Sequence, residues 1–414
     1  MRFIAGTLLA LAATASTAFA QQPAQPAAPD PTQQAAAFGS DPLNTNATYA
    51  FIMDGDTGLP LYSKRGDEAM VPASMSKLML YYIVFDRIRA GRLKLTDEFT
   101  VSEHAWRTGG AGTDGSTMFL PLNSKVSVEN LLHGAIIVSG NDACITLAEG
   151  IAGSEEAYAR EATAKAQELG LKNSHFANAS GLDDPGERMS AHDIATLAYR
   201  IIKEFPEHYK MFSEPSFTWN KITQPNRNPL LKEVPGADGV KTGHLAVSGF
   251  GLVGSAIRDG KRRIIVLQGL ASEGDRRKEA PVVMRKAFTD FTAAKLVDKD
   301  AQVAEAKVWL GEKDTVPLVA AEEASAGLHV DAMKGLKSKV VYKGPLYAPV
   351  KKGDAVGELI ISAPGAPDIK IPVVAGADVK QLGFIGKAMQ GLRGDDEEED
   401  EPKDEKGAKD SKGK

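Results

Sequence analysis

Cysteine is almost absent, and neither sign of charge dominates. The single cysteine among 414 residues, Cys144, excludes an intramolecular disulfide and any zinc module built on two or more thiolates. Stability must come from packing instead. At 43% apolar residues, a chain of this length can fill two domains, or one large domain with an appendage. A wholly disordered or fibrous chain is thereby excluded. With 49 basic against 54 acidic residues the formal charge is −5, and nothing in that balance calls for nucleic acid. The excess is also local: residues 395–414 carry ten acidic and five basic side chains, and the preceding chain is balanced at 44 of each sign. Metal spacing is missing as well. His133, His175 and His192 form no H-E-x-x-H pattern, so core or surface roles are expected for them, with no metal site and no cofactor.

Also lacking is an apolar run long enough for a membrane span. Residues 1–20 hold Arg2, an apolar stretch from Phe3 through Leu11 to Ala15, and a small-x-small Ala18-Phe19-Ala20. They read as a secretory signal peptide, which puts the mature protein outside the cytoplasm. Residues 21–37 contain only Gln, Pro, Ala, Asp and Thr and have little to bury, so 21–46 is expected to be a disordered leader. Folding should begin near Ala47. Residues 48–53 and 60–62, around a turn at 54–58, read as a hairpin. Residues 71–85 are nearly continuously apolar around one Ser/Lys group, with Pro72 ahead, and read as a helix buried on all sides.

Residues 127–151 read as two helices broken at Val138-Ser139-Gly140-Asn141, and 155–169 and 190–205 as amphipathic helices. Strands return at 240–242, 249–256 and 263–269. A hairpin, a helical middle and closing strands predict an α+β domain over 47–295, an antiparallel sheet with helices against it. Between 303 and 374 short alternating segments punctuated by Gly and Pro predict a small all-β domain, 300–376. No internal repeat is evident.

Three groups of residues carry chemistry. Ser74 and Lys77 stand three positions apart, so on a helix the amine can reach the hydroxyl. A serine hydroxyl needs a base, and lysine serves only when its pKa falls from about 10.4 toward neutrality, through desolvation or a nearby cation. Met75, Leu78, Met79 and Leu80 supply apolar surroundings. Ser139-Gly140-Asn141 sits at the helix break, where glycine permits a tight backbone and a second hydroxyl and an amide can face a cleft. Lys241-Thr242-Gly243 lies on a predicted strand and is followed by His244. An S-x-x-K pair is weak alone. With S-x-N 65 residues on from Ser74 and K-T-G 100 residues on from Asn141, the ordered set becomes a specific signature.

On these motifs, and on VPASMSKLML, IIVSGNDACITLAE, FANASGLDDPG, PNRNPLL and GADGVKTGHLAVSGFGL, the chain resembles the D-alanyl-D-alanine carboxypeptidases. These are low-molecular-weight penicillin-binding proteins with a C-terminal β-domain. The resemblance implies a penicillin-binding/β-lactamase-like transpeptidase domain, in which an antiparallel sheet flanked by helices is joined by a helical subdomain and followed by the small all-β domain. It implies a periplasmic location, peptidoglycan stem peptides ending in D-Ala-D-Ala as substrate, and β-lactams as covalent inhibitors. Residue by residue, Ser74 would be acylated and Lys77 would be its base. Ser139 and Asn141 would relay a proton to the leaving amine and hold the peptide, with Lys241 beside them. Thr242 would bind the terminal carboxylate, with Gly243 and His244 next to it. Arg227 and Arg276 would support that pocket, Arg277 being an alternative to Arg276. The backbone N–H groups of Ser74 and His244 are the candidate oxyanion donors, and Lys241 is expected to depress the pKa of Lys77.

Other residues read more plainly. Cys144 is expected to be a small buried hydrophobe, and Asp183-Asp184-Pro185-Gly186 a turn, since it lacks calcium-ligand spacing. Residues 115–119 form either a loop near the cleft or a plain connection. The family resemblance also makes 377–394 a candidate amphipathic membrane anchor, with Leu382, Ile385, Met389 and Leu392 on one stripe and Lys380, Lys387 and Arg393 available for anionic lipid. Gly383, Gly386 and Gly391 weaken that helix at about 1 kcal/mol each, and the acidic run at 395–401 would be repelled by anionic headgroups. The tail 395–414 is expected to be a solvated disordered extension.

Three other functions compete with a carboxypeptidase. A β-lactamase must hydrolyse its acyl-enzyme quickly, and no E-x-x-L-N pattern follows Asn141, so slow deacylation is expected. A D,D-endopeptidase acting on cross-links would share the site. A non-catalytic cell-wall scaffold would have no need of two lysines in one cleft.

Overall fold

The structure is a computed structural model that describes residues 41–384 apart from 365 and 367. The predicted signal peptide, the leader as far as residue 40, the anchor residues 385–394 and the acidic tail lie outside the described residues.

Alternation along the central strands decides the architecture. In Tyr49–Asp54, Phe51 and Met53 enter one apolar cluster while Ala50 and Ile52 enter another. Lys261–Leu270 divides in the same way, with Ile264 and Val266 on one face and Ile265 and Leu267 on the other. Side chains with a period of two stand on opposite faces of a sheet, so a strand apolar at successive positions must be covered twice. Helix Glu273–Thr289 covers one face with Ala280, Val283, Met284 and Ala287. Helix Ala191–Glu204, capped by the Ser190 hydroxyl on the Asp193 N–H, covers the other with Ile194, Leu197, Ala198 and Ile201. The sheet is antiparallel with order Pro60–Lys64, Tyr49–Asp54, Lys261–Leu270, Gly249–Arg258, Ala237–Leu245. Helix Lys77–Arg89 is buried continuously from Lys77 to Phe85, and with Val128–His133, Asn141–Ala152 and Glu155–Glu168 it makes the helical part of the domain. This is the expected α+β class.

The second domain is all β. Its main sheet runs Lys337–Tyr342, Ala355–Ser362, Ile369–Ala375, Thr315–Ala320, Gln302–Trp309, Leu346–Tyr347, antiparallel except for the last pair. A separate ribbon pairs Phe291–Val297 with Ala324–His329. This ribbon lies against the first domain: a Cβ on Gly327 would stand 2.0 Å from the Pro60 carbonyl oxygen, so the backbones touch there only because the residue is glycine. Phe291 also packs edge-on to Tyr62. The β-domain is therefore fixed to the Pro60–Lys64 edge of the first sheet, opposite to the Ala237–Leu245 edge.

Three boundaries differ from expectation. The β-domain begins at Phe291, not at residue 300, because Phe291–Val297 has its only strand partner in Ala324–His329 among the described residues. The leader is ordered at 41–46: Leu43 is buried, Tyr62 donates to Asp41, and Thr45 and Asn46 donate to Glu279. These few polar contacts and one buried leucine tie the segment across helix Glu273–Thr289. The expected helix at 377–394 does not include its first residues. Val379 is 2% exposed in the β-domain core and exchanges backbone hydrogen bonds with Val350, Gln381 bridges to Gly311, and Leu382 donates to the Leu310 carbonyl. Pairing to an existing sheet satisfies these backbone groups where glycine-weakened helix would not.

Candidate active site

Ser74 lies in a single 3-10 turn, Ala73–Ser76, that runs directly into helix Lys77–Arg89. The preceding Ala73 takes φ 50°, a left-handed conformation that costs a non-glycine residue about 1–2 kcal/mol and that is held by complete burial. Ser139 is similarly strained at φ 66°, where a π-helical turn, Gly134–Val138, ends before helix Asn141–Ala152. Strain of this kind survives only where the surroundings over-determine the backbone. The expected break between two helices is thus where the second hydroxyl is aimed.

Lys77 gathers the first two motifs. Its Nζ is 2.7 Å from Ser74 Oγ, 2.7 Å from Asn141 Oδ1 and 3.4 Å from Ser139 Oγ. Lys241 Nζ donates to Ser139 Oγ at 2.8 Å and to the Thr242 carbonyl at 3.1 Å. Two amines therefore share one hydroxyl, and both are buried, Lys77 to 0% and Lys241 to 3% exposure. Burial penalises the charged amine and pushes Lys77 down to about 8, with the Arg227 charge adding to the fall. Lys241 is held well below its ordinary value, by burial first and then by the charge of Lys77. The expected coupling of the lysines thus falls mainly on Lys241, while desolvation dominates at Lys77.

These side chains open on a cavity of about 650 Å³ whose lining includes Ser74, Ser139, Asn141, Thr242, Gly243 and His244. Gly243 lets strand Ala237–Leu245 approach the Ser74 turn: a Cβ there would meet the Pro72 carbonyl oxygen at 3.0 Å and the Ala73 Cβ at 3.2 Å. His244 is exposed at the rim and stacks on Phe250 at 3.8 Å between ring centroids. Arg227 reaches the same cavity and donates to Ser116 Oγ at 2.6 Å. Between Arg276 and Arg277 the geometry is decisive. Arg276 is buried, lines the cavity and pairs with Glu273, whereas Arg277 is exposed and pairs with Glu233 elsewhere. All ten predicted residues converge, leaving Lys77 and Lys241 beneath the cavity and two guanidinium groups in its wall. A hydroxyl beside a depressed amine, with cations to receive an anion, is equipped to accept an acyl group from a peptide that ends in a carboxylate.

Residues read as structural are elsewhere. His133 contacts the Glu129 carbonyl and Glu214, His175 the Gly186 carbonyl, and His192 Asp67. Cys144 is fully buried, with its thiol pushed up to about 11 by burial. Asp184 Oδ1 accepts from the Gly186 N–H at 2.7 Å, the turn expected there.

Asp142 was missed. Its carboxylate, 0% exposed, accepts from the Thr117 hydroxyl at 2.8 Å and from the N–H groups of Met118, Leu120 and Ala143 at 2.8, 3.0 and 2.9 Å. It straps residues 117–120 to the helix that begins with Asn141, while the Asn141 N–H donates to the Ser116 carbonyl at 2.7 Å. The loop read as either cleft-lining or plain therefore lines the cavity through Gly115 and Ser116. An acidic residue directly after S-x-N, at the first turn of a helix, was the available signal.

Comparisons with known proteins bear on the family and the fold. Residues 34–271 match the family described as D-alanyl-D-alanine carboxypeptidase, and residues 291–381 match the C-terminal domain of penicillin-binding protein 5. The D-alanyl-D-alanine carboxypeptidase DacC of Escherichia coli is 37% identical over 360 residues, 86% of this chain and 90% of that protein. Its counterpart DacA of Haemophilus influenzae is 35% identical over 86% of this chain and 91% of its own length. Among solved structures, the carboxypeptidase DacD of Francisella tularensis aligns with a TM-score of 0.72 at 30% identity, covering 82% of this chain and 94% of that one.

Proposed function

The chain belongs to the D-alanyl-D-alanine carboxypeptidase family, and from that membership we propose that it is a serine peptidase removing the terminal D-alanine from peptidoglycan stem peptides. The observation that carries the proposal is the 2.7 Å contact between the wholly buried Lys77 amine and Ser74 Oγ.

In the proposed reaction, neutral Lys77 takes the Ser74 proton as Oγ attacks the carbonyl between the two D-alanines. The oxyanion is met by the N–H groups of Ser74 and His244, donors preset for the charge that develops. Ser139, between the two lysines, passes the proton from Lys77 to the departing nitrogen, and the C–N bond breaks to release D-alanine. Thr242 receives the terminal carboxylate with Arg227 and Arg276 near it, and Asn141 steadies Lys77 and the peptide. Water, deprotonated by the same amine, then hydrolyses the ester and restores Ser74. A β-lactam carbonyl enters by the same first step, and the absence of an E-x-x-L-N element supports slow release of that ester.

The test is direct. A synthetic pentapeptide ending in D-Ala-D-Ala should yield free D-alanine, and a fluorescent penicillin should label wild type but not Ser74→Ala. A labelled Ser74→Ala protein would overturn the assignment. The pattern of residues 1–20 supports export to the periplasm, in keeping with that substrate. Membrane contact is proposed only for 385–393, since 379–382 are bound into the β-domain; if the full chain is already free of the membrane fraction, that part fails. Among the described residues no helix is long and apolar enough to cross a membrane.

A further inference from the structure

Glu187 is a fully buried carboxylate close to the Ser74 turn, and the mechanism above does not use it. It is 0% exposed. It lies just past the turn at Asp184, whose carbonyl accepts from the Glu187 N–H at 3.0 Å. Glu187 Oε2 accepts from the Ala177 N–H at 2.8 Å and the Asn178 N–H at 3.4 Å. Asn178 in turn organises the loop that follows: its Oδ1 accepts from the N–H groups of Ser180, Gly181 and Leu182 at 3.0, 2.7 and 3.2 Å, and its amide donates to the Leu182 carbonyl. Gly181 and Leu182 line the cavity.

The same loop rests on the nucleophile's turn. A Cβ on Gly181, which has φ 68°, would stand 2.1 Å from the Ala73 carbonyl oxygen and 2.6 Å from Ser76 Oγ. The Ser76 hydroxyl faces the Glu187 carboxyl. Neither Ser76 Oγ nor Glu187 Oε1 completes a well-directed hydrogen bond, although both are buried. Such a pair is costly unless something is gained by keeping it. Ser76 is two residues beyond Ser74 and immediately before Lys77, so a carboxyl set against Ser76 bears on the segment that carries both reacting groups.

We propose that Glu187 is a positioning residue for acylation, tying the Gly181–Leu182 wall to the turn that carries Ser74 and setting a buried negative charge against the Lys77 ammonium. The inference rests on the roles given above to Ser74 and Lys77. The groups that interact electrostatically with Glu187 include Ser76 from the turn, Lys77 from its helix, Tyr158 from helix Glu155–Glu168 and Asp184 from its own loop. Burial pushes the carboxyl up to about 7, with Asp184 adding to the rise and the Ala177 N–H and Ser76 hydroxyl opposing it. Its charge, when ionised, favours the protonated amine.

The experiment measures acylation of the full chain by a fluorescent penicillin from about pH 6 to about pH 10 for wild type, Glu187→Gln and Glu187→Ala, with thermal unfolding of each. Glu187→Gln keeps an acceptor for the Ala177 N–H. It should reach the wild-type plateau within about threefold, with the acid limb moved down by about half a pH unit because the charge that held the Lys77 proton is gone. Glu187→Ala frees the loop and the turn and should acylate roughly a hundredfold more slowly. An acid limb unmoved in Glu187→Gln, or a wild-type rate in folded Glu187→Ala, overturns the proposal. If Glu187→Ala does not fold, Glu187→Gln decides alone. Labelling of wild type that persists on Ser74→Ala would instead strike the underlying roles and both readings with them.

Discussion

The two domains bury different things. The core of the β-domain is aliphatic, built from residues such as Val316, Leu318, Leu328, Ile371 and Val373, and among the described residues no polar or charged side chain is buried beyond Arg276. The first domain encloses Lys77, Lys241, Asp142, Glu187 and Arg276 in addition to a larger apolar core. Buried charge is expensive and is retained when it serves chemistry or specifies a unique arrangement. The contrast separates scaffold from site, and the placement of the β-domain on the Pro60–Lys64 edge, away from strand Ala237–Leu245, sharpens it.

Substitutions on the two sides should behave differently. Ser74→Ala should remove covalent penicillin labelling altogether while leaving the unfolding temperature near that of wild type, as read by gel fluorescence and thermal denaturation. Lys77→Met should slow acylation by about a thousandfold, the scale of a lost general base. In wild type the rate should climb with pH through about 8, where the Lys77 amine becomes free, and then level off. The same shift has a stability sign. Because the folded amine gives up its proton near 8 and the unfolded one near 10.5, the unfolded chain binds more protons between those values, and stability should rise with pH across that window relative to Lys77→Met.

Arg276→Ala should raise KM for a carboxylate-ended peptide by roughly tenfold or more, the scale of a lost charge-assisted contact. Arg277→Ala, which breaks only an exposed pair, should change it by less than about twofold. Smallest for catalysis is Leu318→Ala. It should destabilise the β-domain by about 2–5 kcal/mol and leave the acylation constant within about twofold. A large loss of acylation there would break the separation between the domains.

How much was legible follows from where information sits in the chain. Ser74 and Lys77 are three positions apart on one helix, so local geometry made their contact readable. Ser139 and Lys241 could be named only as members of an ordered set, and Arg276 only through the family resemblance, since nothing local says that strand Ala237–Leu245 returns to the Ser74 turn. Asp142 was legible only as an acidic residue directly after S-x-N, and Glu187 not at all: a buried carboxylate looks in sequence like any surface one until its donors are known. The start of the anchor failed for a similar reason, because Val379 fits an amphipathic stripe as well as it fits a sheet. Pairing with Val350 decided between them.

From the sequence alone came the elements and their faces, because periodicity of two or 3.6 is written in neighbouring residues. So did the reacting types, because Ser, Lys and Asn have fixed chemistry. The tertiary structure decided the proton affinities and the division of labour. Lys77 is pushed down to about 8 from 10.5 because burial in the assembled fold removes its water. Arg276 rather than Arg277 serves the cavity because helix Glu273–Thr289 turns that side inward. Desolvation and facing are properties of the assembled fold, set by residues far apart in the chain.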